Sequence, residues 1–237
     1  MLKIKNVNKH FDGKKILDNV SLSVGKGEIA ILLGASGVGK STLLRILNNL
    51  ETIDTGTVEL DDKPLDLSQV NKTHTVGFVF QSFNLFDHLT VEENIILALE
   101  KTVGKSHQEA HAIAKKLLEH YGLADKATAY PADLSGGQKQ RLALARTLAL
   151  KPKVVCLDEP TSALDPLLTA YVASNIQELA KEGYIVLVAT HDTSLLERLA
   201  CTIYLMHEGK IIEWATSAEC AKDPDAYPRI KKFIAGV

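Results

Sequence analysis

The chain has 237 residues, 46% of them hydrophobic and 24% charged, with a formal net charge of −2. That describes a folded protein able to bury one sizeable core, as a large single domain or as two lobes. The near-neutral charge argues against a general nucleic-acid binder, and the three scattered cysteines (Cys156, Cys201, Cys220) form no disulfide framework or CxxC pair. They suit a reducing compartment. No stretch approaches the roughly 18 apolar residues of a membrane span, and Met1–Lys5 has no apolar signal core. The expectation is a soluble, cytosolic chain whose membrane role would come through partners.

The first roughly 80 residues read mainly as strands. Leu2, Ile4 and Val7 begin an alternating run, Asp12-Gly13 supplies a hairpin turn, and Val20, Leu22 and Val24 form a second alternating strand. Ile29–Leu33 is apolar without a break, as expected of a strand buried on both faces. Gly34–Lys40 interrupts it, and Ser41–Leu50 follows with helical spacing at Leu43, Leu44 and Leu47. Val76–Phe80 is a further apolar strand. From Val91 to about Leu150 the pattern is helical, with Ala110, Ile113, Ala114, Leu117 and Leu118 sharing one face of Ser106–Gly122. Strands return at Val154–Leu157, Ile185–Ala189 and Ile203–Met206, with helical patterns between the first two and after the second. Strands alternating with helices predict an α/β fold with a parallel sheet, into which the helical block is inserted as a lobe.

Gly34-Ala35-Ser36-Gly37-Val38-Gly39-Lys40-Ser41 fits G-x-x-x-x-G-K-S, with a strand before it and a helix after it. Glycines let backbone N–H groups turn around phosphate oxygens, and the helix start directs its positive dipole end at the same anion. Lys40 would bind the β- and γ-phosphates, and the Ser41 hydroxyl would ligate Mg²⁺. Asp158 and Glu159 close an apolar strand, which a parallel sheet would place beside that loop. Asp158 then holds Mg²⁺, and Glu159 polarises the attacking water. Ser135-Gly136-Gly137-Gln138 opens a second helix, so it is a second potential anion site; Ser135 is equally a favoured N-cap. Two phosphate-seeking helix starts in one chain imply either two nucleotides or one nucleotide shared between chains.

Gly34–Ser41, Leu134–Gln138 and Val154–Glu159 resemble the Walker A, signature and Walker B motifs of the ATP-binding cassette ATPases, over nearly the whole chain. The resemblance implies a P-loop NTPase (RecA-like) fold. It has a mostly parallel sheet, an N-terminal antiparallel β part and an inserted helical lobe. The single domain 1–237 divides into a core lobe, 1–86 and 151–237, and a helical lobe, 87–150. Phe11 sits where the family has an aromatic that stacks on adenine, and Thr42 extends the phosphate loop's contacts. Gln81 matches the glutamine that ligates Mg²⁺ and senses a membrane subunit. Ser162-Ala163-Leu164-Asp165 is similar to the D-loop, and His191 to the histidine that contacts the γ-phosphate. The family implies a head-to-tail homodimer in which each ATP lies between one subunit's phosphate loop and the other's Ser135–Gln138. No catalytic position is degenerate, so both sites are expected to be competent.

Phe83–Asn94 is similar to the polar amino acid uptake subfamily, although Asp87 stands where that subfamily usually has Pro; Thr161–Pro166 also suits it. The chain ends soon after Ile230–Ile234, which leaves no room for the regulatory domains of many sugar or methionine importers. The expectation is therefore the ATPase subunit of a bacterial amino acid importer. It would sit peripherally on the cytoplasmic side of the inner membrane, with membrane permease subunits and a separate solute-binding protein, and without nucleic acid. Lipid or lipoprotein export, iron–sulfur assembly and a non-transport role are the alternatives. A GTPase reading fails, because Asn71-Lys72 is followed by Thr73-His74 rather than by x-Asp.

Overall fold

A computed structural model describes residues 1–162 and 166–236; Asp165, with Ala163 and Leu164, lies outside the described residues. The chain opens as a hairpin of β1 (Leu2–Phe11) and β2 (Lys14–Val24). Its turn, Asp12-Gly13, has φ values of 48° and 78°, the positive pair a tight right-twisted hairpin requires. Leu2, Ile4 and Val7 are all buried. The step from Ile4 to Val7 is three residues because Asn6, at φ 52°, sits in a register shift there.

β3 (Ile29–Leu33) is buried throughout. Ile29, Ile31 and Leu33 join the core on one face of the sheet; Ala30 and Leu32 join the core on the other. This is the two-sided burial that an unbroken apolar run requires. α1 (Lys40–Leu47) then stops short of the expected Leu50, because Asn48 turns its amide back onto the Leu44 carbonyl at 3.0 Å and Asn49 adopts φ 51°. β4 (Thr55–Leu60) and β5 (Lys63–Pro64) complete a four-stranded antiparallel sheet in the order β2-β1-β4-β5.

The short α2 (Val70–Thr73) precedes β6 (Val76–Val79). Three helices follow: α3 (Val91–Val103), α4 (His107–His120) and α5 (Gly136–Ala149). Each starts with a reciprocal capping box, Thr90/Glu93, Ser106/Glu109 and Ser135/Gln138, which pairs backbone donors that would otherwise be orphaned. They pack on one face of the sheet through Val91, Ile95, Ala110, Ala114 and Leu142. β7 (Val154–Asp158), α6 (Pro166–Lys181), β8 (Ile185–Thr190), β9 (Thr202–His207) and β10 (Lys210–Thr216) lead to α7 (Ser217–Lys222) and α8 (Pro228–Ile234). The second sheet has the order β10-β9-β3-β8-β7-β6, parallel except for β10 against β9. Mixed α/β architecture, the antiparallel part and the mostly parallel sheet are all as expected.

The expected helix between β8 and β9 is instead a 3₁₀ stretch, Thr193–Arg198. Asp192 accepts from the Ser194 backbone at 2.9 Å and from its hydroxyl at 2.6 Å, a local turn that competes with α-helix. Among the described residues no helix is long and apolar enough to cross a membrane. The three cysteines are free thiols, and burial pushes Cys156 and Cys201 up to about 12.

The two sheets meet at Ile16. A Cβ on Gly39 would stand 2.8 Å from the Ile16 carbonyl oxygen, and one on Gly209 only 2.5 Å from the same atom. Gly209 (φ 76°) lies in the β9–β10 turn, where its carbonyl accepts from Asp18 N at 2.9 Å. Gly209→Ala is therefore expected to destabilise the protein by about 2 kcal/mol or more. Gly13→Ala, at a similar φ but in open space, loses about 1 kcal/mol. Urea unfolding of the two variants checks the difference.

Candidate active site

β3, β8 and β7 deliver the site. Leu33 pairs with Thr190 and Asp158 with Ala189 in parallel register, so Gly34, His191 and Glu159 leave the sheet at one edge. Ligands of open α/β sheets bind at this carboxyl edge. A cavity of about 230 Å³ there is lined by Ser36, Gly37, Gly39, Lys40, Ser41, Thr42, Gln81, Glu159 and His191. Residues expected from four separate segments are thus brought to one place.

α1 begins inside this cavity with no acidic residue of its own in its first turn, so its positive end faces the space that Glu159 and Asp158 border from the end of β7. Lys40 is buried. Its Nζ donates to the Gly34 carbonyl at 2.7 Å and to the Ala35 carbonyl at 3.0 Å, and lies 3.4 Å from Glu159 Oε1. The Val38 side chain packs back over Gly34 and onto the core. The Ser41 hydroxyl donates to Asp158 Oδ1 at 2.6 Å. Burial raises the Asp158 carboxyl above its ordinary pKa, and the Ser41 bond opposes that rise.

Glu159 is unusual in its backbone: φ is 47°, a conformation L-residues adopt rarely. It persists because its N–H donates to the Ala189 carbonyl at 2.8 Å, while its own carbonyl accepts from Ser162 N at 3.1 Å and Ser162 Oγ at 2.9 Å. The bend aims the carboxylate into the cavity. Its Oε2 lies 2.9 Å from His191 Nδ1, without the alignment of a hydrogen bond. His191 follows β8 in a turn held by Asp192 N donating to Thr190 Oγ1 at 3.0 Å.

Gln81 forms an exposed wall of the cavity. The loop behind it turns at Phe83 (φ 62°) and Asn84 (φ 46°). Arg146 of α5 holds both, donating to the Phe83 carbonyl at 3.0 Å and the Asn84 carbonyl at 2.8 Å. Phe11 lies elsewhere, half-exposed at the end of β1, with the Lys9 amine 4.9 Å from its ring centre. Ser135, Gly136, Gly137 and Gln138 form no wall of the cavity. Ser135 Oγ accepts from Gln138 N at 3.3 Å and Gln138 Oε1 accepts from Ser135 N at 2.8 Å, so the N-cap reading of this segment holds. Gln140 and Arg146 are largely buried polar positions of α5 whose backbone partners were not evident from the sequence. The available signal was that α5 is apolar on more than one face, which leaves a polar side chain there little solvent to meet.

A phosphate cradle, a lysine and a strand-end carboxylate pair at the carboxyl edge of a parallel sheet define a phosphate-loop ATPase. A family model described as ABC transporter matches residues 17–162. The chain belongs to that family: it is an ATP-binding cassette ATPase. It is 44% identical over 229 residues to the glutamine transport ATP-binding protein GlnQ of Bacillus subtilis, covering 94% of each chain. It is 45% identical over 239 residues to the glutamate transport ATP-binding protein GluA of Corynebacterium efficiens, covering 99% of this chain and 98% of that one. Among solved structures, a dimeric ATP-binding cassette in a post-hydrolysis state with ADP and phosphate superposes with a TM-score of 0.79 at 34% identity, over 92% of this chain and 99% of that chain.

Lys40→Ala removes the cation that the loop surrounds. ATP affinity is expected to fall by about 100-fold or more, since charge-assisted bonds to phosphate are each worth about 1.5–3 kcal/mol. Titration with a fluorescent ATP analogue checks this; unchanged affinity would refute the loop assignment.

Proposed function

We propose that this chain is the ATP-hydrolysing subunit of a bacterial importer of polar amino acids. The single observation that carries hydrolysis is the placement of Glu159, its carboxylate beside both Lys40 and His191 at the mouth of the phosphate cradle. Amino acid import is supported by the glutamine and glutamate transport proteins to which the chain is similar.

In this reading the triphosphate lies in Gly34–Thr42, with Lys40 on its β- and γ-phosphates and Phe11 stacked on adenine. Ser41, Asp158 and Gln81 hold Mg²⁺. The closely paired Ser41 hydroxyl and Asp158 carboxylate, with an amide oxygen on the adjoining wall, are the hard oxygen donors that this ion prefers. The ion supplies neutralising charge to the phosphates when bound. Glu159 accepts a proton from the attacking water, and His191 orients that water and meets the γ-phosphate. Asp165, which matches the D-loop in sequence, would contribute to nucleotide binding.

Ser135–Gln138 of a second copy closes over the γ-phosphate in a head-to-tail homodimer. ATP then binds the closed pair better than the open one, and hydrolysis removes that difference. We assign 1–86 and 151–237 to a core lobe and 87–150 to a helical lobe. Beyond Gln81, a groove of about 640 Å³ walled by Phe78, Phe80, Asn84, Phe86, Leu97 and Arg146 is where we place the membrane permease. Gln81 would report on both sites. The chain would act peripherally at the cytoplasmic face of the inner membrane, and a separate solute-binding protein and the permease would select the amino acid.

Glu159→Gln should bind ATP normally, lose about 10²–10⁴-fold in kcat, and elute as an ATP-dependent dimer in size-exclusion chromatography. A monomer at saturating ATP would refute the sandwich. Chelating Mg²⁺ should stop hydrolysis by the wild-type protein, followed as phosphate release, and restoring the ion should recover it.

A further inference from the structure

We infer that Gln140 is a positioning residue for hydrolysis, holding the bend that carries Glu159 from the helix that begins at Gly136. The inference rests on the ATPase reading above and goes beyond it by naming how the carboxylate is kept in place.

Gln140 is only 4% exposed, within the first turns of α5. Its Nε2 donates to the Pro160 carbonyl at 2.8 Å. Its Oε1 is buried with no partner among the described residues. A buried acceptor left unpaired costs about 1–3 kcal/mol. Methionine at this position would fill nearly the same volume, keep the helix and avoid that loss. What the amide supplies in exchange is one donor, delivered to the residue next to Glu159.

Proline has no N–H, so the carbonyl is Pro160's one backbone polar group, and Gln140 satisfies it. Pro160 also restricts the residue before it, and that residue is Glu159 at φ 47°. The other bonds that fix this bend come from Ala189 and Ser162. Among the described residues the Gln140 bond is the one that reaches this segment from α5. Without it the Pro160 carbonyl has no donor among the described residues, and the strained segment loses its tie to α5. The carboxylate would then sample positions away from the attacking water, and displacement of about 1 Å can cost about 100-fold in rate. Gln140 is not among the residues that line the cavity, so nucleotide binding is expected to be left alone.

The test uses the purified full chain with MgATP. Gln140→Met and Gln140→Glu, both close to Gln in size and the latter lacking an amide donor, are compared with wild type, with Glu159→Gln and with the Gln140→Met/Glu159→Gln double variant. Affinity for a fluorescent ATP analogue should stay within about 2-fold. The kcat should fall by about 10–100-fold in both Gln140 variants. In single-turnover assays the double variant should be no slower than Glu159→Gln, because Gln140 acts only through Glu159. Wild-type kcat in Gln140→Met and Gln140→Glu would overturn the inference, as would ATP affinity falling in step with kcat, or a double variant slower by the full Gln140→Met factor. If Gln140→Met does not fold, Gln140→Glu carries the same comparison. Absence of turnover in wild type would overturn the ATPase reading and this inference together; wild-type turnover indifferent to Gln140 would sink this inference alone.

Discussion

The structure depends on the register of three parallel strands. β3, β7 and β8 lie side by side, with Leu33 opposite Thr190 and Asp158 opposite Ala189. Because side chains alternate across a sheet, a slip of one residue in any of these strands would turn its apolar set to the wrong core. The same slip would move Asp158 or the His191 turn out of reach of Ser41 and Lys40. The two-sided burial of Ile29–Leu33, Val154–Leu157 and Ile185–Ala189 thus fixes the geometry of the cavity as well as the fold. Hydrophobic packing locates the charges.

Those charges are held by few contacts. Lys40 and Glu159 sit 3.4 Å apart where little solvent reaches, and two loop carbonyls take the remaining donors of Lys40. A buried pair of this kind contributes little net stability, and breaking it by removing one partner is expensive. α5 ties this region to the rest of the chain. Gln140 reaches the Pro160 carbonyl, Arg146 the Phe83 and Asn84 carbonyls, and Arg141 the Tyr121 carbonyl at 2.9 Å. One helix therefore spans the segment after Glu159, the loop after Gln81 and the connection following α4.

Much of this was legible from residue pattern. Unbroken apolar runs ended by glycine or by carboxylates located β3 and β7, and Asp12-Gly13 gave the first hairpin turn. The phosphate loop could be read because its residues are local in sequence and their chemistry is local too. What stayed hidden was set by tertiary context. Leu195 and Leu196 are both buried, as in an amphipathic helix, yet Asp192 closes a side-chain turn that leaves a 3₁₀ stretch. Gln140 looks like any polar helix residue until a carbonyl 20 positions away in sequence is found against it. Ser135 carried two compatible meanings, and the capping one is visible within a single chain.

The cysteines have a practical consequence. All three thiols are shifted upward, Cys156 and Cys201 by burial to about 12 and Cys220 chiefly by burial, with Glu213 and Glu219 adding to the shift. Thiolate is the species that alkylating and oxidising reagents attack, and burial both suppresses it at Cys156 and Cys201 and screens those two thiols from reagent. A maleimide would therefore pass over Cys156 and Cys201, while the partly buried Cys220 would still be open to it. With Cys220 replaced, a single cysteine introduced on an exposed surface would take the label selectively, so a fluorophore or spin probe could test whether two copies approach one another while both buried thiols stay in place.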